Sequence, residues 1–156
     1  GRRVVLRTPL QMSLKYEDIG HEYSVGQMES YAPDSMSESE LAYGWRAGQW
    51  SVFETPEGKN RIGNRIDVYD RDHIEERFDV LKEGLGNTTG LVSFSVQSIG
   101  DDVVAHNKTY EGALVLYRID FRKYDVIATV SVLGAEGVVS IDDVVRYAWI
   151  VEEMIG

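Results

Sequence analysis

Cysteine is missing from all 156 residues, which excludes a disulfide framework, a thiolate metal site and a cysteine nucleophile within them. Positive charge is scarce as well. Sixteen Lys and Arg stand against 26 Asp and Glu, a formal charge of -10, so phosphate backbones and anionic lipid surfaces repel the chain and nucleic acid is excluded as a partner. No apolar run approaches the roughly 18 residues of a spanning helix, so no membrane span is expected in the residues shown. Histidine is limited to His21, His73 and His106, far apart in sequence and without His-x-x-x-His or His-Glu-x-x-His spacing; no metal site and no cofactor is assigned. Proline occurs three times, and each instance punctuates: Thr8-Pro9, Pro33 and Thr55-Pro56-Glu57-Gly58 all interrupt regular structure. What is present, 43% hydrophobic and 27% charged residues, is the balance of an ordinary globular domain with one core.

The chain starts at Gly1 with neither Met nor a hydrophobic signal region. That start is read as trimmed, with any targeting segment or lipid-attached Cys upstream of it. Two sequons, at Asn87 and Asn107, are permissible glycosylation acceptors on an exported chain.

Residues 1–9 read as a tail or first edge strand and 10–156 as a single α+β domain. Leu10, Met12 and Leu14 alternate with polar residues, the period of a half-buried strand; residues 16–20 read as a turn, and a second strand is expected at 22–28. Residues 30–39, rich in Ser, Asp and Glu, predict a mobile surface loop. The aromatic segment 41–54 and the alternating 61–70, with Ile62, Ile66 and Val68 on one face and Arg65, Asp67 and Tyr69 on the other, predict a hairpin. A helix follows over 72–84, capped by Asp70 or Asp72, and ends in the glycines of 84–90. Residues 92–97 read as a strand stopping at Gly100-Asp101-Asp102. Residues 109–122 carry Val115, Ile119 and Phe121 on one face and Arg118, Asp120 and Arg122 on the other. Lys123-Tyr124-Asp125 is a tight turn, and 126–133 is apolar except for Thr129 and Ser131, as expected of a central strand covered on both faces. Ser140 with Asp143 forms a capping-box variant that opens an amphipathic helix to residue 155.

Strand, hairpin and helix thus occur twice in the same order. The fold class expected is α+β: an antiparallel twisted sheet with helices packed on it, in two such halves, with helices on one face or on both left open.

Three groups of side chains are candidates for chemistry. Asp67, Asp70, Asp72, His73, Glu75 and Glu76 form the densest charged run, but acidic residues in a first helical turn are accounted for by the free amides and dipole there. Asp101-Asp102 and Asp142-Asp143 are paired carboxylates, and pairs meeting across a cleft perform acid and base work; one also suits a turn and the other a helix start. No catalytic residue is assigned. The aromatic surplus is the more informative feature, because Tyr and Trp combine an apolar body with a polar tip and suit a ligand groove or an interface. Trp45, Trp50, Tyr147 and Trp149 are the ligand or interface candidates, with Tyr147 and Trp149 lying beside the apolar stripe of the last helix.

The run from Tyr117 to Val130, followed by Ser140-Ile141-Asp142-Asp143 and Tyr147-Ala148, resembles the C-terminal part of small exported or lipid-anchored prokaryotic domains, in which a hairpin precedes a terminal helix. Gly44-Trp45 to Phe53 and then Ile62 to Tyr69 resemble their first half, and the whole is similar to the PsbP-like α/β/α sandwich. Tyr124-Asp125 stands where such hairpins often carry Gly-Asn. These families mostly lack a catalytic constellation, so no functional residue carries over. The resemblance implies an extracytoplasmic binding or accessory domain, with any lipid anchor in a segment upstream of Gly1; together with the aromatic surplus and the lack of a catalytic motif it predicts a non-enzymatic module for a protein partner or a small amphipathic ligand. Its alternatives are an acid-base hydrolase using clustered carboxylates and a structural subunit self-associating through the aromatic strand.

Overall fold

The structure, a computed structural model, describes residues 7–156. Of the tail expected over 1–9, residues 1–6 lie outside the described residues. Thr8 and Pro9 open a helical turn, α1 (Pro9–Met12), in which Thr8 Oγ1 accepts from the Gln11 amide and Gln11 Oε1 accepts from the Thr8 amide. This reciprocal cap, with proline at the first helical position, overrides the alternation that predicted a strand over Leu10, Met12 and Leu14. Met12 and Leu14 are buried, whereas Leu10 is 43% exposed. Asn64 ties the end of this turn to the sheet: its Oδ1 accepts from the Leu14 amide at 2.8 Å and its Nδ2 donates to the Thr129 carbonyl at 3.1 Å.

A 3-10 turn at Tyr16–Asp18 leads to β1 (Ser24–Tyr31), two residues later than expected. The segment expected to be a loop over 30–39 is ordered into a 3-10 turn at Pro33–Ser35 and a short helix, α2 (Glu38–Ala42). Ser37 caps α2, and Glu40 ties it down by pairing with Arg77 at 2.6 Å and accepting from the Tyr69 hydroxyl at 2.8 Å. The hairpin is formed by β2 (Trp45–Glu54) and β3 (Arg61–Tyr69). Next is α3 (Ile74–Gly86), whose N-cap position is taken by His73 without a side-chain cap bond, not by Asp70 or Asp72.

In the second half, only Val92–Ser93 (β4) of the predicted 92–97 strand pairs regularly. The strand that does the pairing there is β5 (Asp102–Tyr110), for which the sequence pattern predicted no strand of its own. A turn at 111–113 then separates β5 from β6 (Leu114–Lys123), where Gly112 and Ala113 both have positive φ. The tight turn at Tyr124-Asp125, with Tyr124 at φ 55°, joins β6 to β7 (Val126–Ala135).

All seven strands form one antiparallel sheet in the order β1-β2-β3-β7-β6-β5-β4. The fold class is therefore α+β, as expected, and β7 is the central strand. Three antiparallel strands precede α3 and four precede the C-terminal helix, and the last strand of each set, β3 and β7, pair at the centre. The helices lie on opposite faces. On β7, Val126, Ala128, Val130 and Val132 join the core built with Met12, Val144, Ala148 and Val151, whereas Ile127 joins a second core with Trp45, Tyr69, Ile74 and Phe78. Because successive strand residues point to opposite faces, α1 and α4 (Ile141–Ile155) cover one face, and α2 and α3 part of the other.

Helix α4 carries the predicted capping box: the Ser140 hydroxyl accepts from the Asp143 amide at 3.3 Å and Asp143 Oδ2 accepts from the Ser140 amide at 3.0 Å. Ser140→Ala is expected to cost about 1 kcal/mol, measured as a shift of the urea midpoint at constant slope. No measurable change would mean that the cap contributes nothing.

Candidate functional site

The face bearing α3 is only partly covered. Beside α2 and α3 it leaves a groove of about 560 Å³, with β2, β3, β7 and β6 as its floor, β1 along one side, and Arg77 and Leu81 of α3 along the other. Every polar residue of the floor belongs to the alternate set of strand positions whose neighbours are buried. Arg65 and Asp67 flank buried Ile66, Arg118 adjoins buried Ile119, and Thr129 lies between buried Ala128 and Val130; Asp120, on the other side of Ile119, is itself fully buried beneath the groove. Cross-strand pairing sets Arg65 opposite Thr129 and Thr129 opposite Asp120, with Arg118 opposite Ser131 one step along.

Two glycines make room for the aromatic rings. A Cβ at Gly63 would lie 2.8 Å from Ser131 Oγ and 3.0 Å from the Trp50 ring; one at Gly48 would lie 2.9 Å from the Trp45 ring and 2.9 Å from Asp67 Oδ1. Such distances leave no space for a side chain, so each glycine is the seat of an indole. The Trp45 N–H donates to Asp67 at 2.8 Å. Trp50 is half-buried and lines the groove, and its N–H has no partner among the described residues.

Charge in the groove is paired. Arg65 grips Asp67 through Nε and Nη2 at 3.0–3.1 Å, and its guanidinium lies 4.6 Å from the centre of the Tyr31 ring. Arg118 grips Asp120 through Nε at 2.8 Å and Nη2 at 2.9 Å, and the Thr129 hydroxyl donates to the same carboxylate at 2.5 Å. Burial works against the Arg118 charge, but the hydrogen bonds and attraction of Asp120 outweigh it and hold the guanidinium above its ordinary range. Arg77 behaves likewise beside Glu40 and Tyr69. Burial pushes the Tyr69 phenol far above its ordinary range, the Asp67 charge adds to this, and Arg77 opposes it. Tyr69 is therefore a neutral donor to Glu40 at physiological pH. His106, opposite Arg118 on β5, is buried with an Nδ1 that has no partner among the described residues.

Of the four aromatic candidates, Trp45 and Trp50 belong to this face, one buried against its floor and one lining the groove. Tyr147 is buried in the core under α4 and Trp149 packs at that core's margin, so these two lie on the other face. Tyr147 falls within the apolar stripe rather than beside it. The acidic candidates do not meet in the groove. Asp70 and Asp72 line a smaller concavity of about 350 Å³ with Arg46, Arg71 and the buried Asp125. Asp101 accepts from the Tyr124 amide at 2.9 Å, and Asp102 pairs with Lys82 at 2.6 Å. Asp142 and Asp143 open α4. Among the described residues no three His, Asp or Glu are grouped so as to hold a metal ion. The aromatic strand β2 is paired on both sides, so it offers no free edge for self-association; among the described residues the outer strand on that side is β1.

Arg-Ile-Asp occurs at 65–67 and again at 118–120, an exact repeat that the alternation of apolar and polar residues does not single out. On a strand, positions i and i+2 share a face, so each copy displays an ion pair over a buried isoleucine. The repetition was the available signal.

No protein-family model matches the chain, and no curated protein matches it. Its fold is similar to that of the extracellular domain of PknH from Mycobacterium tuberculosis, a crystal structure that superposes with a TM-score of 0.69 over 99% of this chain and 97% of that one, at 10% sequence identity. At that identity the likeness is one of fold, and the PsbP-like resemblance has no family match beside it.

Proposed function

We propose that this chain is an extracytoplasmic binding module whose ligand occupies the groove beside α3. The observation that carries this reading is the half-buried Trp50 seated on Gly63, its N–H without a partner among the described residues, in a concavity lined by paired charges rather than by apolar core. A groove of this volume lies within the roughly 300–1,000 Å³ of small-molecule sites, which combine apolar and aromatic walls with a few placed polar groups. Placement outside the cytoplasm is supported by the resemblance to exported domains and by the fold shared with the extracellular domain of PknH. The acid-base alternative draws no support from Asp70, Asp72, His73, Asp101, Asp102 or Asp142, none of which lines the groove.

Nile red, a neutral amphipathic dye, tests the reading. One saturable site is expected on the wild-type chain, weakened about tenfold, or 1.4 kcal/mol, by Trp50→Ala with the melting temperature unchanged. Binding indifferent to Trp50→Ala would overturn it.

A further inference from the structure

We infer that the groove takes a neutral, polyhydroxylated ligand, a short saccharide, in preference to an anion. This rests on the groove reading above and adds the chemistry of the occupant.

Three arginines around one concavity at first suggest a phosphate or carboxylate site. The pairing argues otherwise. Arg65, Arg77 and Arg118 are matched one for one by Asp67, Glu40 and Asp120. The groove therefore carries no net charge, inside a chain whose formal charge is -10. An anion would have to displace a carboxylate from a two-pronged grip, or lie beside that carboxylate and meet its repulsion.

The atoms left over suit hydroxyl groups. Arg65 spends Nε and Nη2 on Asp67, which leaves Nη1 as a donor beside carboxylate oxygens that retain acceptor capacity; Arg118 spends the same atoms on the fully buried Asp120 and offers the groove its Nη1 alone. A sugar hydroxyl both donates and accepts, so an adjacent donor and acceptor satisfy it completely. The second copy of the motif, one strand beyond β7 and one step along, adds the Arg118 donor with the Thr129 and Ser131 side chains beside it, about 10 Å from the first, since neighbouring strands are about 4.8 Å apart. That repeat fits a ligand bearing hydroxyls along its length. Trp50 and Ser131 both line the groove, the benzo edge of the indole and the serine hydroxyl meeting over Gly63, and an indole is the kind of aromatic surface on which the apolar face of a sugar ring packs. At the β1 side Tyr31 stacks under the Arg65 guanidinium, a polar-tipped wall rather than a greasy one.

Saturation-transfer NMR of the chain with maltotriose, cellotriose and chitotriose, and separately with succinate and inorganic phosphate, tests the assignment. At least one saccharide should bind saturably, more tightly than either anion, and lose at least tenfold in affinity with Trp50→Ala. Asp67→Asn should weaken the saccharide about tenfold and improve succinate, because it frees the Arg65 guanidinium. Should that variant unfold through loss of the Trp45 bond, Arg65→Gln, which keeps Asp67, should weaken the saccharide without admitting succinate. Tighter binding of succinate or phosphate by the wild type, or no binding by any of the three saccharides, overturns the inference. Nile red bound through Trp50 in that event shows that the groove reading stands and only the ligand class has failed; no Nile red binding shows that both have failed.

Discussion

Asp120→Ala is expected to lower the stability of the fold by about 3 kcal/mol, within the range for breaking a buried ion pair from one side. The carboxylate is completely buried and its three hydrogen bonds, two from Arg118 and one from Thr129, are all shorter than 3 Å. Removing it strands a guanidinium whose side chain is only 31% exposed and leaves the Thr129 hydroxyl without its acceptor. Urea denaturation followed by circular dichroism measures the loss as a lower midpoint at unchanged slope. Arg118→Leu should cost a similar amount, because it strands the carboxylate instead. The double variant should cost clearly less than the two together, since it removes both charges at once. Strict additivity would mean that the two side chains do not interact, and a loss below about 1 kcal/mol for Asp120→Ala would mean that solvent reaches the site and takes over its hydrogen bonds.

Phe78→Ala is expected to cost about 4 kcal/mol, the scale of an aromatic side chain removed from a closed core. Phe78 is fully buried in the second core with Trp45, Tyr69, Ile74 and Ile127, and the Lys82 ammonium lies 5.6 Å from its ring centre while pairing with Asp102. That core is small, so its remaining members have little with which to refill the space. The loss should have a local component: amide exchange in α3 should accelerate more than in α4, whose contacts lie on the other face. Because Arg77 and Leu81 form one wall of the groove, Nile red affinity should fall with the helix. Uniform exchange across α3 and α4 would show that the helix is held by something other than this ring.

Much of the architecture was legible in the sequence because it is written in local chemistry. Ser140 and Asp143 announce a helix start without tertiary help, and Ile62, Ile66 and Val68 announce one face of a strand. The failures have a common cause. Leu10, Met12 and Leu14 satisfy a strand period, yet Thr8 and Gln11 form a reciprocal cap that a period count does not register. Glu38–Ala42 is too short and too acidic to read as a helix, and it holds its place through Glu40 bonds to residues 29 and 37 positions away. The hairpin turn at Gly112-Ala113 hides β5, because the apolar alternation of 109–122 runs through Ala113 although its backbone is left-handed. As for the site, Thr129 and Ser131 were visible as two polar interruptions in an apolar run, and Arg118 and Asp120 as the polar face of a strand. What the sequence could not show was that α3 stops short of covering them, since that depends on where one helix lies across seven strands.

The pairing of β3 with β7 has a kinetic side. Ile66 meets Ala128, far away along the chain, whereas the other long pairings join strands adjacent in sequence. Closing so long a loop is entropically dear and comes late, after the local meanders exist. Trp50 and Arg65 stand on one side of that seam, Arg118, Asp120 and Ser131 on the other. Neither half alone possesses the groove, so the last step of assembly is also the step that creates it, and a ligand bridging the seam favours the finished chain over every partly built one.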